Sequence, residues 1–175
     1  PAAAPAVVPN AGSSGDAHGD LLLLHDVRAG YGDAGVLFGV DLRVPQGSIV
    51  AVLGPNGTGK STLCGAVAGT VEVTGGTISF GGEDVTTFPA HRRALSGILL
   101  APESRGIFPT LTVDENLSVW LADPKDRARA YERFPQLQAR SKLPAANLSG
   151  GEQQMLCLAS VLVRPPKLLI ADEIS

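Results

Sequence analysis

The strongest chemical signal in the sequence is the stretch GPNGTGKST, in which Gly54 is followed by four residues and then by Gly59, Lys60 and Ser61. Glycines lack a Cβ, so several backbone N–H groups can point at one anion and cradle a phosphate. The N-terminal end of the next helix, the Lys60 ammonium and the Ser61 hydroxyl would then contact the phosphates and Mg²⁺. The candidate nucleotide-binding residues form one run: Gly54, Pro55, Asn56, Gly57, Thr58, Gly59, Lys60, Ser61 and Thr62.

Two adjacent acids, Asp172 and Glu173, follow the aliphatic run LLIA near the end of the sequence. A nucleotide hydrolase with a phosphate-binding loop, or P-loop, needs a second Mg²⁺-directed carboxylate after a neighbouring strand, and Asp172 is the candidate. Glu173 is the candidate for orienting and polarising the attacking water. Lys60 and Glu173 are therefore the predicted catalytic residues, and Ser61 and Asp172 the predicted Mg²⁺ ligands. The alternative is a solvated acidic turn after a strand.

A second anion site is predicted at LSGGEQQ, where a hydroxyl, backbone N–H groups and a helix dipole coincide. With this stretch the sequence resembles the nucleotide-binding domain of ATP-binding cassette (ABC) transporters. The resemblance implies ATP as the nucleotide and a head-to-tail dimer, in which this signature loop closes on the γ-phosphate held by the partner's P-loop. An ordinary capping box is the alternative. The implied signature residues are Leu148, Ser149, Gly150, Gly151, Glu152 and Gln153.

Three further features agree with the family's order along the chain. Tyr31 lies where the family has an aromatic residue that stacks on adenine, and a core tyrosine is the alternative. The stretch LTVDENL resembles the start of the helical subdomain that couples to membrane permease subunits. Glu103 occupies the position of the usual glutamine, which senses Mg²⁺ and the transport subunit. We therefore expect a partner surface around residues 103–116.

The sequence around these motifs resembles the branched-chain amino acid uptake branch of the family, particularly in the stretches APESRGIFPTLTVDENL and RFPQL. The resemblance implies an ATPase subunit on the cytoplasmic face of the cell membrane, bound peripherally to permease subunits. A related urea- or amide-type importer is an alternative. So are a soluble ABC ATPase of DNA repair or translation, and a nucleotide-binding module that does not turn over.

The end of the sequence departs from the family pattern. Ile174 stands where a proline commonly follows the acids, and the family's D-loop and switch histidine lie beyond them. The three histidines, His18, His25 and His91, all precede the acids and are interpreted as surface or loop residues. We therefore expect a C-terminally truncated ABC ATPase domain, from a parent protein that hydrolyses ATP.

Composition excludes other classes of function. The formal net charge is −3 and no run of five basic residues occurs, so a nucleic-acid partner is not expected. No apolar stretch approaches the ~20 residues that a membrane helix needs. Cys64 and Cys157 belong to no metal-binding motif and are interpreted as small buried residues.

The predicted fold class is α/β: a P-loop NTPase of the ABC type with a small antiparallel β subdomain and a helical insertion. Residues 1–20 are predicted to be a Pro/Ala/Gly-rich linker or disordered, residues 21–175 the ABC domain, and residues 104–147 approximately the helical subdomain. Strands with small antiparallel pairings are predicted over residues 21–44. Further strands are predicted at SIVAVL, GGTISF, GILLA and LLIA, and their alternation with helices predicts a mostly parallel sheet. Capping boxes at Thr112 and Ser149 predict helix starts, with a further helix at about residues 125–134.

Overall fold

The structure, a computed structural model, describes residues 6–9, 19–101 and 106–172. The chain divides into two compact units. The strand unit holds the described residues up to Leu100 together with Leu168–Asp172, and the helical unit holds Ala101–Lys167. The strands are β1 (Ala6–Pro9), β2 (Asp20–Tyr31), β3 (Ala34–Pro45), β4 (Val50–Leu53), β5 (Glu72–Phe80), β6 (Glu83–Asp84), β7 (Ile98–Ala101) and β8 (Leu168–Ala171). The helices are α1 (Lys60–Ala68), α2 (Ala90–Ser96), α3 (Val113–Trp120), α4 (Pro124–Arg133), α5 (Pro135–Ala139) and α6 (Gly150–Val163), with a 3₁₀ turn at Ala145–Asn147.

The strand unit is built on an antiparallel sheet with the strand order β3-β2-β5-β6. The hairpin of β2 and β3 turns at Gly32 and Asp33, as the sequence predicts, and its apolar residues alternate towards the core. Asp26 has a φ of 47°, at a shift in register between β2 and both neighbours. A Cβ at Gly76 of β5 would lie 2.3 Å from the Asp26 carbonyl oxygen, so only glycine fits opposite this bulge.

The apolar run SIVAVL predicts that β4 is buried on both faces, and the run LLIA predicts that β8 is a buried strand, but both predictions are wrong. Val52 and Ile170 pack on the core of the strand unit, whereas Leu53 is 54% and Leu169 45% exposed. The cause is the two-residue period of a strand, which turns alternate side chains to opposite faces. In the described part of the chain only one face of β4 and one face of β8 are covered.

The antiparallel pairing predicted for residues 21–44 is confirmed by β2 and β3, but the described residues do not form the mostly parallel sheet expected for the later strands. β4 pairs antiparallel with β1, and β7 pairs with β8 in a separate two-stranded sheet. The first of these pairings places a short strand within the segment that was predicted to be a linker or disordered. Its register joins Ala6 to Leu53 and Pro9 to Val50. Strand β1 forms because its backbone groups pair with those of β4, and amino-acid composition does not encode that pairing.

Helix α1 is held at its C-terminal end by a buried arginine of α2. The Arg93 guanidinium is 2% exposed and donates to the carbonyl oxygens of Ala66 (2.6 Å) and Val67 (3.0 Å). It also donates to the carbonyl oxygens of Thr86 and Phe88. Burial lowers the pKa of Arg93. The last turn of a helix leaves carbonyl groups unpaired, and a cation there also interacts favourably with the helix dipole.

The helical unit starts its two main helices where the sequence predicts them. Thr112 caps α3 and Ser149 caps α6, each in a complete capping box with the glutamate three residues later. The buried amide of Asn116 pins the preceding loop, because it bonds both the N–H and the carbonyl oxygen of Phe108. The core of this unit consists of Val113, Leu117, Leu121, Ala130, Leu137, Ala145, Leu148, Leu156 and Ala159.

One detail of the prediction for α6 is wrong. The sequence predicts that Met155, Leu158, Ala159 and Leu162 form the apolar face of α6. Ala159 is buried and Met155 packs on the core of the helical unit, but Leu158 and Leu162 are 41% and 48% exposed, and Leu156 is buried instead. No helix in the described ranges is long and apolar enough to cross a membrane.

Candidate nucleotide-binding site

The P-loop, residues 54–62, connects β4 to α1 as the sequence predicts. Gly57 and Gly59 have φ values of 83° and 93°, a region that side chains with a Cβ rarely adopt. The Thr58 N–H and hydroxyl both donate to the Pro55 carbonyl oxygen, at 3.4 and 2.9 Å, and close the loop on itself. The two glycine conformations leave the loop's backbone near the start of α1 without Cβ atoms in the way.

Lys60 is the first residue of α1, and its ammonium folds back over the loop. Nζ donates to the carbonyl oxygens of Gly54 and Pro55, both at 2.9 Å. The positive charge is thus held at the mouth of the loop, together with the positive end of the α1 dipole. Ser61 is exposed, whereas Thr62 is only 6% exposed and packs inward. Of these neighbours, Ser61 is the one whose hydroxyl is accessible to a ligand.

Asp172 is close enough to the same helix for its charge to affect a side chain there. Burial and then the negative charge of Asp172 raise the pKa of the Cys64 thiol to about 11. Because Cys64 is three residues after Ser61, both side chains lie on one side of α1. The charge of Asp172 therefore acts on a side chain of α1 that lies one turn after Ser61. Hydroxyl and carboxylate oxygens are ligands that Mg²⁺ accepts.

Tyr31 ends β2 next to the turn, where its ring is 58% exposed. An exposed ring is available for stacking. The alternative left open by the sequence, a tyrosine buried in the core, is not what the structure shows.

Two residues that the sequence did not single out support the P-loop from β3. A Cβ at Gly59 would lie 3.0 Å from Leu37 Cδ2 and 3.2 Å from Val36 Cγ1. Val36 and Leu37 are far from Gly59 in the sequence, so their support of the loop is visible only in the folded structure.

The signature loop, residues 148–153, begins α6 in the helical unit. The Ser149 hydroxyl accepts a hydrogen bond from the Glu152 N–H at 3.3 Å, and the Ser149 N–H donates to Glu152 Oε2 at 2.8 Å. These bonds with Ser149, and then the charge of Arg140, lower the pKa of Glu152. Leu148 is buried, and the Gln153 side chain donates to the Ala145 carbonyl oxygen. The loop is therefore a rigid helix start.

Two predicted site residues, Glu103 and Glu173, lie outside the described residues. The structure places Lys60, Ser61 and Asp172 in the strand unit, whereas the signature residues belong to the helical unit. Within the ranges that the structure describes, no three His, Cys, Asp or Glu side chains cluster as a metal site. A single carboxylate and a hydroxyl suit an ion that keeps water and phosphate ligands, as Mg²⁺ does.

A family model described as "ABC transporter" matches residues 37–175. The chain belongs to the ABC transporter family. A relative from Archaeoglobus fulgidus, "Probable branched-chain amino acid transport ATP-binding protein LivF", is 42% identical over 84% of this ABC chain. "High-affinity branched-chain amino acid transport ATP-binding protein BraG" of Pseudomonas aeruginosa is 37% identical over 87% of it. "Alpha-glucoside transport ATP-binding protein AglK" of Rhizobium meliloti is 35% identical over 87%.

This ABC chain is shorter than the relatives it matches. It spans 65% of the Archaeoglobus protein, 68% of the Pseudomonas protein and 43% of the Rhizobium protein. Among solved structures, a nucleotide-free ATP-binding cassette of an ABC transporter matches with a TM-score of 0.70 and 23% identity, over 87% of this chain and 68% of that one. The structure of cbiO1 from Clostridium perfringens matches with a TM-score of 0.68 and 25% identity, over 89% and 66%. These likenesses establish an ABC cassette fold.

Proposed function

We propose that the chain belongs to the ATP-binding and ATP-hydrolysing subunit of an ABC importer. The observation that carries the proposal is the geometry of the P-loop. The Lys60 ammonium donates to two carbonyl oxygens of the loop, and Gly57 and Gly59 adopt positive φ values just before α1. Residues 54–62 would hold the phosphates of ATP, and Tyr31 would stack on the adenine. Residues 21–175 would form the ABC domain, with its helical subdomain following the strand that ends at Ala101.

Mg²⁺ would be held by the Ser61 hydroxyl and the Asp172 carboxylate. When bound, it would balance the charge that develops on the phosphates. Lys60 would position the terminal phosphate, and Glu173 would accept a proton from the attacking water. The signature loop would contact the ATP of a second ABC domain in a head-to-tail dimer. Permease subunits would bind near residues 103–116, at the cytoplasmic face of the membrane.

We further propose branched-chain amino acids as the transported substrate. The two relatives whose names state this substrate are 42% and 37% identical to the chain. Relatives named for α-glucoside and for spermidine/putrescine transport also match, at 35% and 31% identity. The difference in identity favours amino acids over these substrates.

ATP binding and hydrolysis are tested in the full chain with two substitutions, Lys60→Ala and Glu173→Gln, and with Lys167→Ala as the control. Lys60→Ala should abolish ATP binding, whereas Lys167→Ala, on an exposed lysine, should not change it. Glu173→Gln should keep ATP binding, lower phosphate release by about 100-fold or more, and accumulate ATP-dependent dimers. A Glu173→Gln variant that hydrolyses ATP at the wild-type rate would contradict the proposed catalytic role. Binding without any hydrolysis in the wild-type chain would favour the non-hydrolysing module.

The substrate is tested by uptake of isotope-labelled leucine and urea in cells that carry either the wild-type gene or Lys60→Ala. We expect leucine uptake to fall in the variant while urea uptake stays unchanged. The opposite result would replace the amino acid proposal with the urea-type importer. Loss of neither would reject an importer for these substrates.

A further inference from the structure

The carboxylate of Glu152 is held by two different groups. Its Oε2 accepts the Ser149 N–H at 2.8 Å, which is half of the capping box. Its Oε1 lies 3.4 Å from Arg140 Nε, in an ion pair with a residue that precedes the signature loop. Glu152 therefore links Arg140 to the backbone of Ser149. A change at Arg140 can reach the signature serine through this single carboxylate.

Arg140 is fixed in its backbone and accessible in its side chain. Its N–H donates to the Leu137 carbonyl oxygen at 3.1 Å, and its own carbonyl oxygen accepts the Leu143 N–H at 2.8 Å. Leu137 is fully buried in the core of the helical unit. The side chain of Arg140 is 50% exposed, and that of Glu152 is 20% exposed. The guanidinium is thus presented to Glu152 from an anchored turn.

The charge of Glu152 conflicts with the role of its loop. The proposed function places the γ-phosphate of a partner's ATP at the start of α6, and the inference rests on that proposal. A carboxylate in the first turn would repel the triphosphate, because like charges brought together at an interface are unfavourable. A glutamine could accept the Ser149 N–H through its amide oxygen without this charge. A nearby cation would offset the charge that a glutamate at this position presents to the triphosphate.

We propose that Arg140 is a positioning residue for the signature loop, which balances the charge of Glu152 and keeps that carboxylate on the Ser149 N–H. Arg140 acts on the partner's nucleotide through Glu152 and Ser149. Its effect belongs to the closing of the dimer, whereas the chain's own P-loop binds ATP independently of it. Half-exposed ion pairs contribute little to folding stability, so stability alone would not reveal this role.

The test is a double-mutant cycle of Arg140→Gln and Glu152→Gln, measured in full chains that also carry Glu173→Gln. ATP-dependent dimerisation is followed by analytical ultracentrifugation, and ATP binding to the monomer by a fluorescent nucleotide. We expect Arg140→Gln to raise the dimer dissociation constant about tenfold and to leave ATP binding to the monomer unchanged. Arg140→Gln/Glu152→Gln should recover most of this loss, and Arg140→Lys should lose less than Arg140→Gln.

Arg133→Gln is the matched control, since Arg133 is an exposed arginine of α4, and it should not change dimerisation. Thermal melting of every variant separates unfolding from a specific effect. The inference is overturned if Arg140→Gln dimerises within about twofold of its parent, or if adding Glu152→Gln gives no recovery. If the parent with Arg140 intact binds ATP but never dimerises, the proposed dimeric function itself fails. That outcome is distinguishable from failure of the inference alone.

Discussion

Arg92 and Arg93 are neighbours in α2, but their side chains have opposite surroundings. The Arg93 guanidinium is buried and donates to carbonyl oxygens at the end of α1 and before α2. Arg92 lies over the Phe88 ring, 3.5 Å from its centroid, on an exposed part of the helix. The buried arginine therefore fixes the far end of the helix that begins at the P-loop.

We predict that Arg93→Met lowers the free energy of unfolding by about 3 kcal/mol or more, because it leaves several buried carbonyl groups without donors. Arg92→Met is the control and should cost less than about 1 kcal/mol, the range of an exposed cation–π contact. Urea denaturation measures both values. Equal losses for the two variants would show that the buried hydrogen bonds do not support the helix.

The thiol of Cys64 reports on the charge of Asp172. Burial and then the Asp172 carboxylate raise the pKa of this thiol to about 11, because both favour the protonated form. Removal of the negative charge should therefore lower the pKa of Cys64 and increase the thiolate fraction at pH 9. In a Cys157→Ser background, Asp172→Asn should speed alkylation of Cys64 by about three- to tenfold. Asp33→Asn, at the turn between β2 and β3, is the control, and equal rates in both variants would place Asp172 away from α1.

At the scale of single elements, the capping box of α3 predicts a specific pH dependence. Hydrogen bonds from the Thr112 N–H and hydroxyl lower the pKa of Glu115 below its ordinary value of 4.5. A carboxyl group whose pKa is lowered by folding stabilises the fold above its unfolded pKa, and that contribution is lost as the pH falls through the folded pKa. Glu115 thus stabilises α3 at neutral pH and not in strong acid.

We expect Glu115→Gln to be less stable than the wild type at pH 7 and the difference between the two to narrow below about pH 4.5. Urea denaturation at a series of pH values measures the difference. Glu132→Gln, on an exposed part of α4, matches the change in net charge. If the same narrowing occurs in that control, the effect does not arise from the capping box.

The elements that the sequence predicts best are those whose signals are local. The capping boxes at Thr112 and Ser149, and the turn at Gly32, involve residues within three positions of each other. The P-loop is predicted for the same reason. The support of Gly59 from β3 and the pairing of Arg140 with Glu152 depend instead on how separate elements pack. A linear pattern does not contain that information.

At the scale of the whole molecule, β8 has one face on the core and one face that adds apolar side chains to the surface. Leu169 is 45% exposed, whereas Ile170 packs on the core of the strand unit. A sequence with the run LLIA predicts a buried strand, but burial depends on what covers each face, and the described residues cover one. The same holds for Leu53 on β4, which is 54% exposed. Exposed apolar side chains of this kind favour self-association.

We predict that Leu169→Thr changes the free energy of unfolding by less than about 1 kcal/mol and reduces light scattering at high protein concentration. Ile170→Thr, the next residue on the same strand, is the matched control and should lower stability by about 1–2 kcal/mol. Scattering that persists unchanged in Leu169→Thr would mean that this face does not drive association.

The contact between Gly59 and β3 also limits which substitutions are tolerated on both sides of it. Gly59 is fixed by its φ of 93° and by the lack of room for a Cβ beside Val36 and Leu37. A larger side chain at either β3 position would press on the P-loop from outside the motif. Leu37 is also a buried core residue, whereas Val36 is only partly buried, so position 36 is the better place to separate the two effects. In a deep mutational scan selected for ATP binding, larger side chains at position 36 should be depleted more strongly than in a scan selected for folding alone.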